Sequence, residues 1–196
     1  MLLVRLVRFI LLGLLLSAPG EVLNQILARH DVKAFWTTLF SYSILLFLGF
    51  FAARLLDWFI PRKWAAVLMH YLLFGTLGLA VEWVLLGNAP VLEPFQIVTQ
   101  PGMFTYWGTM MLGPRMILEP AGAPGLRRNF VLFFAAFSAA YLLVAWLLPR
   151  DRGGIFLGFV IFATGTAALN YFYIQYVRRL AAIDGRAKPG ADAGLS

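Results

Sequence analysis

The sequence predicts an all-α protein: a polytopic transmembrane helix bundle of about six membrane-embedded segments, four of them clear and one broken or re-entrant. Three observations predict it. The 196 residues are 61% hydrophobic and 13% charged, about half the charge that a water-exposed surface requires. The apolar residues come in long unbroken runs, not in the polar–apolar alternation of barrel strands. The basic residues gather at the ends of those runs, at the level of lipid headgroups.

The N-terminal segment admits three readings. Arg5 and Arg8 precede the apolar run Phe9 to Leu16, followed by Ser17-Ala18-Pro19-Gly20. That resembles a signal peptide with a basic n-region, although an A-x-A cleavage pattern is missing. Alternatively Phe9 to Arg29 forms one helix kinked at Pro19. In the third reading Glu21 to Arg29 is an amphipathic interfacial piece, with Val22, Leu23, Ile26 and Leu27 on one side. An uncleaved first helix is the expectation carried forward.

Four runs read as spans by length, since a crossing helix needs about 20 apolar residues. Ala34 to Ala53 is uncharged and leads to Arg54, Asp57 and Trp58. Trp64 to Val81 follows the Pro61-Arg62-Lys63 turn and stops before Gly87-Asn88-Ala89-Pro90. Phe130 to Leu148 is flanked by Arg127-Arg128 and by Pro149-Arg150-Asp151-Arg152. Gly153 to Val177 is uncharged and ends in Arg178-Arg179.

Residues 87–128 differ from the rest, holding six of the ten prolines. Met103 to Leu112 is apolar but too short to span alone, and Pro101-Gly102 and Gly113-Pro114 at its ends predict helix breaks. Charge placement argues that this region crosses. With six crossings, twelve of the sixteen Lys and Arg fall at one end and four at the other; with five, the split is nine to seven; with four, the N-terminal segment not crossing, it is eleven to five. Both biased arrangements put the C-terminus in the cytoplasm, in the inner (plasma) membrane if the source is bacterial. Six crossings, with both termini cytoplasmic, also account for the long first apolar segment and the apolar 95–112 stretch. Residues 1–183 then form a single transmembrane domain. The Gly-, Ala-, Pro- and charge-rich stretch 184–196 reads as a disordered tail.

Ionisable and aromatic residues inside the apolar segments are the candidates for chemistry. At 100° per residue, Tyr71, Gly75, Gly78 and Glu82 share one helical face, where the glycines admit a close neighbour. Glu82 reads either as a proton-coupling carboxylate or ligand counter-ion, or as a solvated interfacial residue. His70 reads as a buried neutral histidine with one hydrogen bond. Arg54 and Asp57, three apart, read as a local ion pair. Asn170 reads as an interhelical hydrogen-bonding residue, and Tyr171, Tyr173 and Tyr176 as an interfacial belt.

The segment 93–119 collects Glu93, Gln96, Gln100, Thr105, Tyr106, Trp107, Arg115 and Glu119. Broken helices build polar transport sites in lipid, and Arg115 suits an anionic headgroup or carboxylate. The candidate ligand-binding set is therefore Glu82, Tyr71, Arg115, Tyr106 and Trp107, with no catalytic residue assigned. No P-loop, nucleophile elbow or magnesium-type acidic cluster is present. Two His and no Cys make a poor metal set, and the sequence leaves any cofactor unknown.

The net charge of +7 is placed for lipid and not for nucleic acid. Expected partners are membrane lipid and, for an assembly role, another membrane protein. The function expected first is a transporter or transport component handling a small or amphipathic molecule. A non-catalytic assembly subunit and a membrane enzyme acting on a lipid or isoprenoid are the alternatives.

Overall fold

A computed structural model describes residues 2–85, 94–119, 121, 123–147 and 152–186. These residues form six helices and no strands. Helix α1 (Leu2–Glu21) continues as a π-helical stretch, Val22–Ala28. Helix α2 covers Val32–Phe59, and α3 covers Lys63–Ala80 with a π-helical end at Val81–Leu85. Helices α4 (Pro94–Leu118), α5 (Pro124–Leu147) and α6 (Arg152–Arg186) complete the bundle. Among the described residues four helices, α1, α2, α3 and α5, are long and apolar enough to cross a membrane. Large apolar side chains such as Leu11, Phe40, Leu55 and Leu132 point outward, where only lipid would be a good solvent. This is an integral membrane protein.

Local signals explain the helix ends. His30, with φ 55°, reverses the chain after α1, and Asp31 caps α2 by accepting from the Ala34 amide at 2.8 Å. Ile60 is extended, as the residue before a proline tends to be, and closes α2 ahead of Pro61. Pro124 opens α5, where its missing N–H is no loss. The chain passes through Pro19 without leaving the helix, so α1 is one element of 27 residues with its π-helical extension. Gly153 to Val177, predicted as a span, lies within α6. The stretch predicted as a tail begins inside the last turn of α6, where Asp184 accepts from the Trp64 amide at 3.4 Å; residues 187–196 lie outside the described residues.

Helix α4 departs most from its sequence. Breaks are predicted at Pro101-Gly102 and Gly113-Pro114, yet one helix runs through both prolines. An interior proline costs about 3 kcal/mol in an isolated helix, but α4 is not isolated. It packs against α1, α2, α3 and α6, and every residue from Trp107 to Met116 is buried. Thr105 and Thr109 donate to the carbonyls of Pro101 (2.9 Å) and Thr105 (2.7 Å), so side-chain hydroxyls add hydrogen bonds along the stretch between the prolines.

Glycines set how closely neighbours approach α4. A Cβ on Gly75 would collide with Phe104, and one on Gly78 with the Trp107 indole; on α4 itself, a Cβ on Gly108 would collide with Tyr71. The Gly75/Gly78 face of α3 is therefore its contact with α4. Around it lie two apolar clusters. Phe9, Tyr42, Leu46, Phe50, Phe74, Trp107, Met110 and Met111 fill the side toward α1 and α2. Leu112, Met116, Phe130, Leu169, Tyr173 and Tyr176 fill the side toward α5 and α6. Tyr173 and Tyr176, predicted at an interface, are core residues, and only Tyr171 is exposed.

Candidate functional site

Alternating helix directions give the bundle two ends. The basic end gathers the start of α1, the α2–α3 turn, the end of α4 and the end of α6. The far end gathers the π-helical ends of α1 and α3, the start of α2 and the start of α4. Each end carries a cavity with polar walls.

The far-end cavity has a volume of about 600 Å³ and reaches down to Glu21 and Trp107. Glu21 lies seven residues, roughly 10 Å of helix rise, inside the end of the π-helical stretch, and is 4% exposed. Its Oε1 accepts from the Tyr42 hydroxyl at 2.7 Å, and the Tyr106 hydroxyl lies 3.1 Å from the same oxygen. Tyr106 is also 3.2 Å from the Ser17 carbonyl, so its one proton is shared between two acceptors. Oε2 accepts from Gln25 Nε2 at 3.3 Å, one turn along. Every donor is neutral, and no basic side chain among the described residues pairs with Glu21. Such a carboxyl can take up a proton or stand opposite a cation.

Glu82 lies in the π-helical end of α3, half-buried, on the wall of this same cavity. Trp107 forms another part of the wall, edge-to-face with Tyr42 at 5.3 Å between ring centroids. Three carboxylates, Glu21, Asp31 and Glu82, and the aromatic pair Tyr42–Trp107 thus share one chamber with two exposed cations, Arg29 and Lys33, and Tyr106 is joined to it through Glu21.

Behind Glu21 the polar groups continue along α4. Tyr71 donates to Asn170 Oδ1 at 2.6 Å, and Asn170 Nδ2 donates to Thr105 Oγ1 at 2.8 Å. This confirms Asn170 as an interhelical link. Below Thr109 the row stops at Met110, Met111, Leu112 and Met116, all fully buried. His70 is buried among apolar side chains and donates from Nε2 to the Gly49 carbonyl at 3.0 Å, since a carbonyl can only accept.

Arg115 belongs to the other end. It is 3% exposed and pairs with Asp57, while its Nε is 3.9 Å from Glu119. Lys63 reaches Glu119 at 2.9 Å and Asp57 at 3.4 Å, closing a four-residue ion network. The predicted Arg54–Asp57 pair is therefore replaced: Asp57 is taken by Arg115 and Lys63, and Arg54 lies 5.5 Å over the Phe50 ring. Distance in sequence hid the better partner, 58 residues away.

Of the five residues predicted to bind ligand, Glu82 and Trp107 share the far-end chamber and Tyr106 adjoins it. Tyr71 lies deeper, in the Asn170 network, and Arg115 lies at the opposite end. The Glu93 and Gln96 side chains fall outside the described residues. Sequence reasoning missed Glu21, Tyr42 and Gln25. The available signal was one carboxylate near the end of the first apolar segment with an amide four residues on. Among the described residues no three His, Cys, Asp or Glu side chains gather as metal ligands would. No protein-family model, no curated protein and no solved structure matches this chain.

Proposed function

We propose that this chain is a transporter or transport component that admits a small cationic, ammonium-bearing molecule to the far-end chamber. The observation that carries this reading is Glu21, a carboxyl deep in an apolar bundle that is held by neutral donors alone. Burying a charge without a counter-charge is costly, and an incoming cation would supply one. Glu82 and Asp31 bring the carboxylates of the chamber to three, against the exposed Arg29 and Lys33. The Tyr42 and Trp107 rings suit an organic cation, which is attracted to aromatic faces.

Transport rather than simple binding is favoured by what lies behind the chamber. Polar groups extend from Tyr106 through Thr105, Asn170 and Thr109 toward the basic end, and a short apolar plug centred on Met111 and Leu112 separates the two cavities. A vestibule on either side of a thin apolar barrier at mid-bundle is the arrangement that alternating access needs.

The test uses the purified full chain with choline and tetraethylammonium as probes, and a neutral alcohol and acetate as controls. The cations should raise Tm in wild type and not in Glu21→Gln. Proteoliposomes should accumulate labelled choline or tetraethylammonium, and lose that uptake in the same variant. An equal response to the neutral and anionic controls would remove the cation assignment. Binding without uptake would make the chain a receptor or assembly subunit instead.

We also place the basic end in the cytoplasm, on the twelve-to-four distribution of Lys and Arg. Cysteines introduced at Arg62 and Arg128 should both react only from the cytoplasmic side. Reaction of position 62 from outside would reverse the orientation or reduce the number of crossings.

A further inference from the structure

The basic end carries a second cavity, of about 520 Å³, whose walls include Arg5, Arg8, Arg54, Lys63 and Arg115 against only Asp57 and Glu119. Both carboxylates are engaged: Asp57 by Arg115 and Lys63, Glu119 by Lys63 and, at longer range, Arg115. Arg5, Arg8 and Arg54 are exposed and have no carboxylate partner among the described residues. Three uncompensated guanidinium groups from two helices thus line one cleft. Arg115 Nη1 is buried and also makes no hydrogen bond. Guanidinium groups match phosphate oxygens in geometry and in charge.

The cleft does not end in bulk solvent alone. Arg54 and Trp58 also line an adjoining groove of about 690 Å³, whose other walls are apolar, among them Leu48, Phe51, Leu55 and Leu77. From Leu45 to Leu55 this groove follows α2 for roughly 15 Å. A cationic cleft joined end-on to an apolar channel on the lipid side is complementary to a phosphate carrying a hydrocarbon chain. Free phosphate would use the cleft and leave the groove unused.

We infer that the basic end is a specific site for a phosphate-bearing lipid, with the phosphate among Arg5, Arg8 and Arg54 and an acyl chain along the α2 groove. The inference is independent of the ammonium site, which lies in another cavity and has the opposite charge preference. Arg5, Arg8 and Arg54 are positioned to touch the phosphate, while the Arg115–Asp57–Lys63–Glu119 network holds the floor of the cleft in place.

The test uses the full chain in nanodiscs of phosphatidylcholine, titrated with phosphatidic acid bearing brominated acyl chains. Trp58 lines both cleft and groove, so the chains should quench its fluorescence saturably, with Trp58→Phe identifying its share of the signal. The triple variant Arg5→Gln, Arg8→Gln, Arg54→Gln changes exposed side chains only and should fold. Its affinity should fall on the order of a hundredfold, from the loss of three surface cations. Dodecyl phosphate should compete, and dodecyltrimethylammonium should not. Retained affinity in the triple variant, or quenching that never saturates, would overturn the site. Full competition by inorganic phosphate at the same concentration as dodecyl phosphate would overturn the lipid as its occupant.

Discussion

At the basic end, the buried guanidinium of Arg115 is held by Asp57 and, at longer range, by Glu119, with Lys63 completing the network. At the far end, the equally buried carboxyl of Glu21 is held by two tyrosine hydroxyls and one amide, and the exposed Arg29 and Lys33 of the same chamber make no ion pair with it. The first arrangement is electrically closed: removing any member strands a charge. The second is closed in hydrogen bonds and open in charge. That difference is why the far end reads as a place where a cation arrives, while the Arg115 network reads as scaffold. It also teaches that burial alone does not mark a binding residue in an apolar bundle. What marks it is whether the protein itself supplies the opposite charge.

The comparison can be broken at the interface that keeps both ends in register. Gly78→Leu should nearly abolish folded protein, because the first added carbon already overlaps the Trp107 indole, and overpacking of this kind costs about 3 kcal/mol or more. Yield and monodispersity in detergent are the measurement; unchanged melting would mean that α3 and α4 do not meet as described. Next in size is Asp57→Ala, which leaves the Arg115 guanidinium buried with only the distant Glu119. Loss of about 3 kcal/mol is expected, read as a lower Tm.

Glu21 should behave differently under the same treatment, which sharpens the contrast between the two ends. Glu21→Gln keeps an acceptor for Tyr42 and Tyr106, so stability should change by less than about 1 kcal/mol while choline binding is lost. Glu21→Ala strands the buried Tyr42 hydroxyl, while Tyr106 keeps the Ser17 carbonyl, and should cost about 2 kcal/mol. If Gln destabilises as much as Ala, the carboxylate is a structural charge with a partner of its own. The smallest effect belongs to Glu82→Gln on the half-exposed chamber wall. A stability change under about 0.5 kcal/mol, with weaker choline binding, is the expected result; unaltered binding would confine the site to Glu21.

Much of the fold was legible because lipid imposes a simple rule on composition and run length. The runs in α2, α3 and α5 are visible as uninterrupted apolar stretches, and α1 becomes one of the spanning helices once Pro19 is read as tolerated. Helix α4 was not legible, for a physical reason. Its prolines argue for breaks locally, and the burial that overrides them comes from α1, α2, α3 and α6, of which only α3 is its neighbour in sequence. The glycine face of α3 was readable from helical periodicity alone, since Gly75 and Gly78 lie on one side. The site was less readable. Glu82 and Trp107 stand out as polar or aromatic residues in apolar context, but Glu21 meets Tyr42 and Tyr106 across 21 and 85 residues, and spacing carries no sign of that. Arg115 and Asp57 form a pair across 58 residues for the same reason.

The π-helical ends of α1 and α3 both border the far-end chamber, contributing Asn24 and Gln25 from one side and Val81 and Glu82 from the other. A π-helix winds more slowly than an α-helix because its hydrogen bonds span five residues instead of four. Over the seven residues from Val22 to Ala28, rewinding to α geometry would rotate the following chain on the order of a quarter turn. Such a rewinding would change which side chains face the chamber while the helix axes stand still. The indole N–H of Trp83 donates to Gln100 at 2.9 Å, so a rewinding of the π-helical end of α3 would pull on the first turns of α4.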